Sequence, residues 1–198
     1  MGVYASLFNI GSRPFFEGPK GFFAELDSLS LIPGLEIGPA SYNDIVEIYR
    51  LESEIEGEGG ADFATLTARW RMFGAGFLTA RQDGRLAGYI ESCLWDCQLP
   101  SFEARPDFFA SRHRPGAETL YIIFIGVAAD CRRQGVANSL LAAVSLVGRY
   151  HGACRLQAVC RDHIMPLYEA AGFLPVTGLP DFLPEPAVDF MLMEHSLL

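Results

Sequence analysis

Two adjacent arginines, Arg132 and Arg133, are followed by Gln134 and Gly135 in a chain that is otherwise acidic. They sit in the stretch DCRRQGVANSLL, between the apolar run LYIIFIGV and a helical pattern that starts near Val136. The first N–H groups of a helix have no partner inside it, and the aligned peptide dipoles make that end positive. Gly135 leaves the backbone open to close approach, and the guanidinium groups add charge. Free N–H groups, a positive helix end and no blocking side chain suit a pyrophosphate. The spacing fits neither the GxxxxGK[ST] loop nor the GxGxxG fingerprint. Taken alone, the stretch reads equally well as a solvated turn and as an anion site.

Other residues able to do chemistry lie around it. The segment MPLYEAAGF places Tyr168 just before a helix stop at Gly172 and the aromatic Phe173. Glu52, Glu54 and Glu56 fall in an early helix, Glu91 in a strand, Glu118 before the apolar run, and His113 in a long loop.

The elements that must position these residues follow from periodicity and punctuation. LEIGPA reads as a strand. Ser41 and Asp44 form a capping box ahead of a helix whose face carries Ile45, Ile48, Tyr49 and Glu52. Asp62 caps a second helix, with Phe63, Leu66, Trp70 and Phe73 three to four apart. GFLTARQ and RLAGYIESCLW are strands joined across Asp83–Gly84, a strong hairpin signal. Residues 96–118 have no clean period, which is long for a structureless loop. LYIIFIGV is apolar on both faces, as a central strand is. The next helix buries Ala137, Leu140, Leu141, Val144 and Val147. CRLQAVC is a strand, Gly172 ends a short helix, and VDFMLMEHSLL is the last strand. The order β-α-α-β-β-β-α-β-α-β-β predicts an α+β fold: a mixed, mostly antiparallel sheet of about seven strands with helices on both faces.

Bulk composition narrows the partners. The chain has 198 residues and a net charge of −9, a balance that disfavours nucleic acid, which needs a surplus of Lys and Arg. No apolar run reaches the ~18 residues of a membrane span, and no secretory signal is seen, so a cytoplasmic protein without membrane association is expected. The five cysteines form no CxxC and lack clustered histidines, so reduced thiols and no metal are expected. Residues 1–34 are irregular and aromatic, and read as an arm on a domain spanning 35–198.

R-x-x-G-x-A followed by L-Y-x-x-x-G-F resembles the acetyl-CoA core of the GNAT superfamily of N-acetyltransferases. The segments SCLWD, HRPG, FIGV, CRRQGVANSLL, MPLYEAAGF and FMLMEHSLL are similar to the serotonin (arylalkylamine) N-acetyltransferase branch, from about Leu35 onward. The resemblance implies a GNAT-like fold and acetyl-CoA as co-substrate. The donor would be held by Ile125, Gly126, Val127, Arg132, Arg133, Gln134, Gly135, Val136, Ala137, Asn138, Ser139 and Tyr168. It implies direct attack of a small-molecule primary amine on the thioester in a ternary complex, and a possible homodimer.

Tyr168 would meet the departing sulfur, since a tyrosine with pKa ~10 can hydrogen-bond or protonate a thiolate whose acid has pKa ~8.5. The branch carries two strand histidines where this chain has Tyr121 and Ile123. Tyr121 could orient a water, and Glu91, Glu118 and His113 are substitute bases. The branch's Cys-Pro-Leu substrate loop is IEGEGGADF here, which suits an amine. Phe63, Trp95, Phe108 and Phe109 are candidates for an aromatic slot. Two other readings stay open: acetylation of a protein N-terminus or lysine, and an acyl-CoA-binding module without turnover.

Overall fold

A computed structural model of the chain describes residues 32–95, 109, 112–176 and 189–198. Most of the expected arm, residues 1–31, lies outside the described residues, as do Cys97 and Phe108.

The sheet has seven strands: β1 (Leu35–Pro39), β2 (Phe77–Gln82), β3 (Arg85–Trp95), β4 (Thr119–Val127), β5 (Arg155–Arg161), β6 (Leu174–Val176) and β7 (Phe190–Ser196). Their spatial order is β1-β2-β3-β4-β5-β7-β6, and every neighbouring pair is antiparallel except β4 with β5. Helices α1 (Tyr42–Glu56) and α2 (Phe63–Met72) cover one face, and α3 (Val136–Tyr150) and α4 (Met165–Ala170) the other. The α+β class, the element order and the strand number agree with the sequence reading.

Local signals explain why the elements start where they do. Ser41 and Asp44 cap α1 reciprocally: the Ser41 N–H donates to Asp44 Oδ2 at 2.5 Å, and the Asp44 N–H donates to Ser41 Oγ. Asp62 Oδ1 accepts the Thr65 N–H at 2.7 Å and starts α2. Asp83 and Gly84 both have positive φ, 51° and 77°, the backbone that a two-residue primed turn requires.

The helix faces show two differences from the sequence pattern. Tyr49, grouped with the inward face of α1, is exposed, while Leu51 is buried. On α3, Val136 is buried and Ala137 only partly so. The rest of each stripe is buried as periodicity suggested: Ile45, Ile48 and Glu52 on α1, and Leu140, Leu141, Val144 and Val147 on α3. The main core lies between the sheet and α3, with Ile90, Leu94, Leu120, Ile122, Leu140, Val144 and Val147 at its centre.

The central strand β4 carries two departures from regular sheet. Opposite β3, Glu91 pairs with Phe124 and Ser92 with Ile122, so Ile123 is an extra residue in a bulge. As a result Ile123 and Phe124 both pack toward α1 and α2, whereas Ile122 and Ile125 pack toward α3. On its other side β4 pairs with β5 only from Thr119↔Arg155 to Ile122↔Ala158. Beyond that point the two parallel strands part. From Phe124 to Val127, β4 has a sheet partner only on the β3 side.

Candidate active site

The parting of β4 and β5 leaves an open edge that runs straight into the arginine–glycine loop. After Val127 the chain makes a turn at Ala129–Cys131 and enters α3 at Val136. Gly135 is the N-cap residue with φ 90°, and no side chain caps the helix. Arg133 also has a left-handed backbone, φ 61°, uncommon for a residue with a Cβ. Left-handed residues in such a loop turn successive N–H groups to one side, which makes an anion-binding concavity. Arg132, Arg133, Gln134 and Gly135 are all exposed. The loop is braced from behind: Arg132 Nε donates to the Val127 carbonyl at 3.2 Å, and Gln134 Nε2 donates to the Asp130 carbonyl at 2.7 Å. The uncapped helix end and the glycine at its mouth therefore fit a diphosphate. Gly126 has a separate packing reason: a Cβ there would come within 2.9 Å of both Ile55 and Tyr89.

The spacing of Tyr168 to Gly172 and Phe173 has a backbone explanation. The Gly172 N–H donates to the Glu169 carbonyl at 2.9 Å, and the Phe173 N–H donates to the Tyr168 carbonyl at 3.0 Å. With φ 84° at Gly172, this is a Schellman ending of α4. Its customary apolar contact is the Tyr168–Phe173 ring pair, edge to face at 5.1 Å. Tyr168 is 4% exposed, and burial, with Cys160 adding to it, pushes its phenol well above the ordinary tyrosine range.

On the opposite face of the sheet lies a cavity of about 450 Å³. Its lining includes Glu52, Glu56, Asp62, Arg69, Glu91, Phe109, Ile123 and Phe124. Four carboxylates face one guanidinium, so the wall is acidic. Glu91 is fully buried on β3, and its Oε1 accepts from Arg69 Nη1 at 2.7 Å. Arg69 itself lies over the Phe109 ring, 4.8 Å from the centroid. Burial pushes the Glu91 carboxyl up to about 7, against the pull of Arg69 and with the charge of Glu52 adding to the rise. Glu52 is buried too, but accepts twice: from the Tyr89 hydroxyl at 2.6 Å and from the Ala61 N–H at 2.5 Å.

Residues 42–173 match the Acetyltransferase (GNAT) family. The chain belongs to that family. Serotonin N-acetyltransferase from Mesocricetus auratus is 29% identical over 117 residues, 59% of this chain and 53% of that protein, so the match spans about half of the relative. Among solved structures, the loading GNATL domain of CurA from Lyngbya majuscula superposes with a TM-score of 0.68. The identity is 15%, over 82% of this chain and 98% of that one. Diaminobutyrate acetyltransferase EctA from Paenibacillus lautus, solved with L-2,4-diaminobutyric acid and coenzyme A, gives a TM-score of 0.59. The identity is 15%, over 82% and 94% of the two chains. At such identities the likeness shows a shared GNAT fold.

Within this GNAT frame the candidates separate. Ile125 to Val127 end β4, Arg132 to Gly135 form the exposed part of the loop, and Val136 to Ser139 open α3, with Val136 and Ser139 buried. Tyr121 is buried against Trp95 and Phe109, at 5.0 and 6.0 Å between ring centres. Burial, Cys93 and Tyr168 push its phenol upward. His113 is not among the cavity-lining residues. It stacks on Phe73 at 4.8 Å, its Nδ1 accepts the Leu94 N–H at 3.3 Å, and burial holds its imidazole below the usual range. Glu118 is exposed and pairs with Arg155 at 3.7 Å. Of the aromatic-slot candidates, Phe109 lines the cavity, Trp95 packs behind it at 5.5 Å, and Phe63 joins Tyr42 and Tyr49 on the outside of α1.

Arg69 escaped the sequence reading. Its position, three residues after Leu66 and four after Thr65, put it on the inward face of α2. Its partner, 22 residues away on β3, left no local trace. Among the described residues no cluster of three or more metal-binding side chains occurs, and no helix is long and apolar enough to cross a membrane.

Proposed function

We propose that this GNAT protein is an acetyl-CoA-dependent N-acetyltransferase acting on the primary amine of a small molecule. One observation carries the reading: an acidic cavity of small-molecule size ends on the same β4 segment whose free edge leads into the arginine–glycine loop. Acetyl-CoA supplies an activated acetyl thioester. The backbone N–H groups of Gln134 to Asn138, with Arg132 and Arg133, hold its diphosphate, and Ile125 to Val127 align its arm along the open edge. Direct attack in a ternary complex follows, because donor and acceptor reach β4 from opposite sides.

The chain's own groups then have definable tasks. A backbone N–H on the open edge of β4 donates to the acetyl oxygen as negative charge develops there. Tyr168 donates a hydrogen bond to the departing sulfur. Its raised pKa makes it a better hydrogen-bond donor than a full proton donor, since the phenol holds its proton more tightly than a thiol does. The carboxylates of the cavity attract an ammonium and disfavour an anionic acceptor.

Calorimetry with acetyl-CoA tests the donor half, and binding with a 1:1 stoichiometry is expected. Release of free thiol in the presence of 2-phenylethylamine, 1,4-diaminobutane or lysine tests the acceptor half. Absence of acetyl-CoA binding overturns the proposal, and thiol release without an acetylated amine removes the acceptor assignment.

A further inference from the structure

Two buried carboxylates stand beside the cavity, and their hydrogen bonds tell them apart. Glu52 spends both oxygens, one on the Tyr89 hydroxyl and one on the Ala61 N–H, and so ties α1 to β3 and to the entry of α2. Glu91 spends only Oε1, on Arg69. Its Oε2 has no hydrogen-bond partner among the described residues, although the side chain is fully buried. Buried polar atoms are almost always paired, and one that is not calls for a reason. Arg69 is similarly incomplete, its Nε finding no acceptor. Both residues line the cavity.

We propose that Glu91 is the general base that takes the proton from the acceptor's ammonium, with Arg69 as the positioning residue that holds its other oxygen. This rests on the N-acetyltransferase reading above. Glu91 Oε2 accepts one proton from the ammonium. The freed nitrogen lone pair forms the N–C bond to the acetyl carbonyl carbon. The C–S bond breaks, its electron pair leaves on sulfur, and the sulfur takes up the second proton that the nitrogen sheds. Glu91 then returns its proton to solvent. The net change is an ammonium and a thioester going to an amide, a thiol and one released proton.

The surroundings of Glu91 fit the task. From α2 it faces Arg69, and from α1 the Glu52 carboxylate. Along its own strand it is flanked by Tyr89 and Cys93. Phe77 of β2 and Phe124 of β4 are its apolar cross-strand neighbours. The rise to about 7 places its titration where a base works best at neutral pH. The competing bases are otherwise placed: Glu118 is exposed and paired, and His113 accepts a backbone N–H away from the cavity.

The test uses the full chain, acetyl-CoA and the three amines named above. Glu91→Gln lowers kcat by about 10²–10⁴-fold and removes the acidic limb of kcat/KM that the unsubstituted chain shows near pH 7. Its acetyl-CoA Kd stays within about twofold, which also reports that the variant is folded. Glu91→Asp retains an intermediate rate and a displaced limb, and serves if the Gln variant does not fold. A readout without any substrate is the gap in thermal midpoint between the chain and Glu91→Gln. It shifts against the unsubstituted chain as pH rises from 5 to 8, because only that chain must ionise a buried carboxyl. A Gln variant within threefold of the parent rate overturns the assignment, as does an unchanged acidic limb. So does a parent chain that binds acetyl-CoA yet acetylates none of the amines. Failure to bind acetyl-CoA overturns the underlying N-acetyltransferase reading instead, and that binding result alone identifies it.

Discussion

The two sides of the site are built on opposite principles. The proposed donor side, Val127 to Ser139 with the end of α4, is mostly backbone: left-handed residues, an uncapped helix end and exposed arginines. The proposed acceptor side, between α1, α2 and β3, is made of buried side-chain charge: Glu52, Arg69 and Glu91 with Tyr89. A backbone site works through groups every residue has, so it depends on conformation. A buried-charge site works through ionisation, so it depends on pH and on each partner being present. Variants on the two sides should therefore fail in different ways, and that difference can be tested.

The largest effect is expected on the acceptor side. Arg69→Met leaves Glu91 buried without its counter-charge and costs about 3–5 kcal/mol of stability at pH 8. At pH 5 the loss is smaller, because an isolated Glu91 with its pKa raised further takes up a proton and no lone charge remains. Denaturant melts at the two pH values check this; equal losses would mean that Arg69 acts only through packing. On the donor side, Gly135→Val forces a β-branched residue to φ 90° and narrows the mouth of α3. Acetyl-CoA Kd should rise by about 100-fold or more, roughly 2.7 kcal/mol, without altering the acidic limb of the rate profile. A shifted limb would show that the two sides are coupled.

Tyr168→Phe removes the hydrogen bond proposed to the leaving sulfur and keeps the ring that packs on Phe173. A fall in kcat of about 10–30-fold is expected, in keeping with a bond to a charged group of about 1.5–2 kcal/mol, with acetyl-CoA binding unchanged. An unchanged kcat would remove Tyr168 from the chemistry. The smallest effect belongs to neither side. Ser41→Ala loses half of the α1 capping box and costs about 1 kcal/mol, read as a lower melting temperature with kcat and KM unaltered.

The contrast also governs what could be read from the sequence. The backbone shape of the proposed donor side was legible because its determinants are local. Gly135 before a helical pattern, and Tyr168 four residues ahead of Gly172, are turn and cap rules written within a few positions. The same holds for Asp83–Gly84 and for Ser41 with Asp44. The acceptor side was legible only in part. Glu91 was visible as a glutamate on a strand, and its alternation with Tyr89 and Cys93 marks the face it shares. That this face is sealed, and that Arg69 reaches it, depends on how α2 packs on the sheet. The bulge at Ile123 was hidden for a related reason: LYIIFIGV is apolar throughout, so no alternation could reveal an added residue.

That bulge has a consequence for how this strand can change. Upstream of it, Tyr121 and Ile123 point to the α1–α2 side; downstream, Phe124 takes up that duty and the count restarts. The strand is thus read in two phases, joined at one residue. Removing Ile123 would restore plain alternation: Ile122 would still face α3, Phe124 would still face α1 and α2, and the pairs Ser92↔Ile122 and Glu91↔Phe124 would be kept. The added residue is what lets two neighbours, Ile123 and Phe124, line the cavity together. Straightening the strand with Ile123 retained would instead make every side chain beyond it trade layers, so the bulge gives the cavity one extra side chain without disturbing the α3 core.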